Sequence, residues 1–77
     1  MKIYDEKSKR VMTSVTLFLT PDEAVNLSKA AADLAKNPQK HHNHVTNKDC
    51  DNEITIAIYT PENMSKFDKE SQAILAA

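Results

Sequence analysis

The chain has 77 residues, with 10 Lys or Arg against 11 Asp or Glu for a formal net charge of -1, no glycine and one cysteine. A chain this short makes one domain, and such a core rarely supplies more than roughly 3–5 kcal/mol, so a metal, a disulfide or a second subunit commonly adds to it. The charge balance gives no electrostatic footprint for duplex DNA or an anionic membrane, the missing glycines exclude every glycine-rich phosphate loop, and a lone cysteine excludes an internal disulfide.

The apolar run "VTLFL" is too short for a signal peptide or a membrane span, so a cytoplasmic protein is expected. Without glycine, any tight turn at positive φ is expected to use Asn or Asp.

In chain order, "KIYD", a turn at "EKSK" and then "RVMTSVTLFLT" read as a first hairpin. Val11, Val15, Leu17 and Leu19 alternate with Arg10, Met12, Ser14, Thr16 and Phe18, so the first set is expected to face a core and the second to face away. Placing Ile3 inward puts Tyr4 outward. Next, Thr20 is a good N-cap, Pro21 suits the first helical position, and Glu23 at N3 can close a capping box. The helix should end near Lys36, because Asn37 precedes Pro38 and a pre-proline residue avoids the helical region.

A second round of the same plan follows. "KHHNHVT", a turn at "NKDCDN" and "EITIAIYT" read as another hairpin, with Ile54, Ile56 and Ile58 inward and Thr55, Ala57 and Tyr59 outward. Thr60 and Pro61 repeat the helix start, with Asn63 in place of the glutamate. The spacing sets Ala24 against Met64, Leu27 against Phe67, Leu34 against Ile74 and Ala35 against Leu75, the expected buried stripes of two helices. The strands match one residue out of step with the helices, so one residue is gained before Thr60.

This periodicity predicts a single α+β domain over 1–77, a pseudo-repeat of 1–38 and 39–77. The duplicated ββα units would give a four-stranded, mainly antiparallel sheet with two helices on one face. The competing arrangement is a βαββα domain whose first residues are loose.

On that plan Tyr4, Phe18 and Tyr59 share the uncovered sheet face with Met12, and an apolar patch there marks a contact surface. The reading is a small non-enzymatic interaction module of the regulator or inhibitor and immunity type. It would be a homodimer that also meets a protein partner through Tyr4, Met12, Phe18, Tyr59, His42 and His44. Scattered exposed side chains are the plain alternative. Base stacking on the aromatics would need interleaved cations, and only Arg10 offers one, so nucleic acid is not expected.

"KHHNHVTNKDCDN" gathers the three histidines and the cysteine. His42 and His44 would lie on one strand face, close enough to ligate zinc or nickel, with Cys50 as a third ligand or Asp49, Asp51 or His41 in its stead. The paired ligand clusters of a structural zinc site are missing, and a polar hairpin with no cofactor explains the composition equally. Asp49 and Asp51 flank Cys50 and would favour the protonated thiol, which argues against a nucleophile. A small-ligand site at a dimer interface lined by aromatics and histidines is the remaining alternative.

Overall fold

Two hairpins and two helices follow the order of the apolar patterns. In a computed structural model of the chain, β1 (Ile3–Asp5) pairs with β2 (Arg10–Met12), α1 (Pro21–Lys36) follows, β3 (His42–Thr46) pairs with β4 (Glu53–Ala57), and α2 (Lys69–Ala76) comes last. Single 3-10 turns stand at Pro38–Lys40 and Met64–Lys66. The structure describes residues 1–40, 42–47, 49 and 51–76.

The fold is α+β, with two two-stranded antiparallel sheets. The single four-stranded sheet expected from the repeat is not formed among the described residues. The chain divides into two compact units, Met1–Phe18 with Ser65–Ala77, and Leu19–Met64, so the boundaries fall inside the segments 1–38 and 39–77.

In the unit Leu19–Met64, α1 begins as its sequence requires. The Thr20 hydroxyl accepts the Glu23 N–H at 3.2 Å, and the Glu23 carboxylate accepts the Thr20 N–H at 2.9 Å, a complete capping box with Pro21 at the first helical position. The helix stops at Lys36, where Asn37 donates its backbone N–H to the Asp33 carbonyl at 2.9 Å. Glu23, Leu27, Ala30 and Leu34 form the covered stripe of α1, while Ala24 and Ala35, expected there, are exposed. Helical spacing of i, i+4, i+7 and i+11 accounts for that choice. Leu34, at 0% exposure, is the one fully buried apolar side chain among the described residues.

Helix α1 packs on β3 and β4. In their register Asn43 faces Ile56 and Val45 faces Ile54 on the covered side, while His42 faces Ala57, His44 faces Thr55 and Thr46 faces Glu53 on the open side. The expected alternation of this hairpin is therefore present. Its loop is tied by Asn47 and Asn52, whose Asn52 N–H donates to the Asn47 side-chain oxygen at 3.1 Å.

The second helix start departs from the repeat. Thr60 and Asn63 bond reciprocally as Thr20 and Glu23 do, but a turn and a 3-10 turn follow, and α2 starts only at Lys69. Asp68 is its effective cap, accepting the Ser71 N–H at 2.7 Å, and this bond holds the Asp68 carboxyl below its ordinary value of 3.8. Asn63 and Asp68 both compete with helix by bonding nearby backbone, which explains the delay.

In the unit Met1–Phe18 with Ser65–Ala77, the first hairpin turns through residues 6–9. Lys9 N–H donates to the Asp5 carbonyl at 2.8 Å, and Lys9 takes φ 60. This corrects the expectation that Asn or Asp would supply positive φ. The Asp5 carboxylate collects the Ser8 hydroxyl at 2.8 Å and the Lys7 N–H at 3.0 Å, which hold its carboxyl below the ordinary 3.8 and fix the turn independently of residue 9.

Candidate functional site

Residues 13–18, "TSVTLF", carry the strongest β-forming composition in the first unit, yet they lie outside any strand. The register explains why. Ile3 pairs with Met12, so residues 13–18 run past the end of β1 and find no neighbour there. Among the described residues, none of residues 13–18 makes a backbone hydrogen bond. Val15 is 52% exposed, Leu17 47% and Phe18 92%. The expectation that Val11, Val15, Leu17 and Leu19 would face a core is corrected: each is exposed, and Val15, Leu17 and Leu19 lie outside the strands and helices of the described residues.

The pairing also rearranges the expected outer face. Tyr4 lies opposite Val11 and Ile3 lies opposite Met12. Directly opposed residues share a face of an antiparallel pair, so Tyr4 and Met12 point to opposite sides of the hairpin. Tyr4 is half-buried and its hydroxyl donates to the Glu70 carboxylate at 2.7 Å. That bond raises the Tyr4 pKa above its ordinary 10.0, because a neutral phenol can donate where a phenolate cannot. Lys9 stands 3.6 Å from the same carboxylate. Met12, Val11 and Arg10 line an open groove with Asp5 and Ser8.

Of the six residues expected on one contact face, Tyr4 and Met12 are in the first sheet and His42 and His44 in the second. Phe18 and Tyr59 lie outside the strands, in exposed chain. The structure brings His42 and His44 together, with ring centres 5.3 Å apart and ring planes at 76°. His44 Nδ1 is 2.9 Å from the Thr55 hydroxyl and 3.4 Å from the Glu53 carboxylate. Cys50, the third expected ligand, and His41 lie outside the described residues. No group of three or more His, Cys, Asp or Glu among the described residues is placed to hold one metal ion.

Sequence reasoning missed what Asn63 does. It is 5% exposed, and both hydrogens of its amide are used, on the Ile58 carbonyl at 2.8 Å and the Pro38 carbonyl at 3.4 Å. The signal was its alignment with Glu23, which marks the position as a cap partner without indicating the two carbonyls. Thr55 was also missed as a partner of His44, although alternation does place it on the same face, whereas the carboxylate of Glu53 was legible as one near the histidines.

Among the described residues no helix is long and apolar enough to cross a membrane. No protein-family model, curated protein or solved structure matches the chain.

Proposed function

We propose that the chain is a small non-enzymatic protein-interaction module of the regulator or inhibitor kind, and that it works as a homodimer joined through residues 13–18. The observation that supports this reading is an uncharged, β-forming run that has no backbone hydrogen bond among the described residues, with Phe18 92% exposed. A β-forming segment whose N–H and C=O groups are not paired within the chain's own sheets can take up another strand.

A second copy of the same chain is the occupant that suits it best. The run carries no charge, so two copies can meet about a two-fold axis without like-charge repulsion, and an isologous contact requires that self-complementarity. Burying Val15, Leu17 and Phe18 is worth on the order of 4 kcal/mol per chain, given their remaining exposure. That equals the roughly 3–5 kcal/mol a core of this size supplies by itself. The cytoplasmic location is part of this reading and rests on composition alone.

Light scattering of the wild type and of Phe18→Asp tests it. Phe18 is so exposed that the substitution leaves the fold of each copy intact. The expected result is a concentration-dependent dimer for the wild type and a monomer for the variant. A monomeric wild type, or a variant dimer of unchanged affinity, would refute the proposal.

A further inference from the structure

The open face of the second hairpin points to a metal site, and we propose that the imidazoles of His42 and His44 together bind one divalent ion of the zinc class. This inference is independent of self-association, since it rests on β3 and β4 alone.

Three observations carry it. His42 and His44 alternate on the exposed face of β3, which brings their ring centres to 5.3 Å. Two imidazoles on one tetrahedral zinc, each nitrogen about 2.0–2.1 Å from the metal, hold their ring centres roughly 5 Å apart. The ring centres of the pair are thus at the separation that ligation of one ion requires.

The second observation is the partner of His44 Nδ1. The Thr55 hydroxyl lies 3.4 Å from the Glu53 carboxylate and 2.9 Å from His44 Nδ1. In the tautomer that donates Nδ1–H to this hydroxyl, the lone pair of His44 is on Nε2, the nitrogen a metal needs. Ligating histidines characteristically donate their other ring N–H in this way, which fixes ring orientation and raises ligand basicity. Register makes the support specific, because Thr55 is the residue directly opposite His44.

The third is access and charge. His44 and Glu53 are each about half exposed, at 51% and 50%, so an ion can enter and keep water as its remaining ligands. The Glu53 carboxylate adds a negative charge beside the pair. With two protein ligands the site is open and exchangeable, unlike the closed four-ligand structural sites.

Calorimetric titration of the full chain with zinc chloride is the test, run on the wild type and on His42→Ala, His44→Ala, Thr55→Val, His41→Gln and Cys50→Ser. One zinc should bind per chain; each of the first two variants should lose affinity at least about tenfold, and Thr55→Val by about threefold to tenfold. His41→Gln and Cys50→Ser should stay within about twofold of the wild type. Nitrogen chemical shifts give a second readout that a purely structural effect would not move: zinc should shift His44 Nε2 while Nδ1 keeps its proton. Absence of binding by the wild type at millimolar zinc would overturn the proposal. So would unchanged affinity in both histidine variants, or a loss confined to His41→Gln or Cys50→Ser.

Discussion

Asn63 and Thr60 bind each other twice: the Asn63 side-chain oxygen accepts the Thr60 N–H at 2.8 Å, and the Thr60 hydroxyl accepts the Asn63 N–H at 3.1 Å. This is the capping-box exchange of Thr20 and Glu23 carried out by a shorter side chain. The shorter side chain leaves an amide group close to the backbone, where it also satisfies the Ile58 carbonyl. A box that opens a helix in the first half of the chain therefore closes a strand in the second.

Replacing Asn63 tests that division of labour. Asn63→Ala removes a buried acceptor and two donors, and leaving their partners unsatisfied should cost about 2–3 kcal/mol in urea unfolding. Asn63→Asp keeps the acceptor for Thr60 but sets a carboxylate against the Ile58 carbonyl, so it should rescue little of that loss. A cost no larger than that of a typical surface substitution, within about 0.5 kcal/mol, would show the network to be dispensable.

The Tyr4–Glu70 bond makes an alkaline prediction. Tyr4 titrates above its ordinary 10.0 in the folded chain, because the hydrogen bond to Glu70 favours the neutral phenol. A raised folded pKa contributes stability that is fully present below the unfolded value and is lost as pH rises through the folded one. Phenolate absorbance of a Tyr59→Phe background, which leaves Tyr4 as the sole tyrosine, should report a midpoint above 10.0, and Glu70→Gln should move it back down. A midpoint at or below 10.0 in the parent contradicts the geometry.

Lys9 offers a gain. A non-glycine residue at φ 60 costs roughly 1–2 kcal/mol, against which the exposed Lys9–Glu70 pair returns little. Lys9→Gly should raise stability by about 0.5–1 kcal/mol in thermal or urea unfolding, while Lys9→Val should lower it, since β-branching is least compatible with that region. Equal stability of the two variants would mean that the turn relaxes to another conformation.

Local grammar carried much of the architecture. The capping box at Thr20, the end of α1 before Pro38 and the alternation of Asn43, Val45, Ile54 and Ile56 each depend on neighbours within a few residues or across one hairpin. The candidate metal pair was equally legible, because His42 and His44 are two apart and strand alternation alone puts them on one face. Its supporting chain through Thr55 and Glu53 was less so, since it needs the cross-strand register.

What a sequence of this length determines by itself is where segments can begin and stop, and which side chains share a face within a segment. Only the tertiary structure decided how segments met. The Ile3 to Met12 register ended β2 early, set Tyr4 and Met12 on opposite faces and left residues 13–18 without a backbone hydrogen bond among the described residues. Asn63 became a buried link to Pro38 and Ile58 where an aligned Glu had opened a helix. Pairing and burial are long-range choices whose energies depend on which other groups are present. Periodicity ranks the faces of a strand but does not supply the strand that covers them.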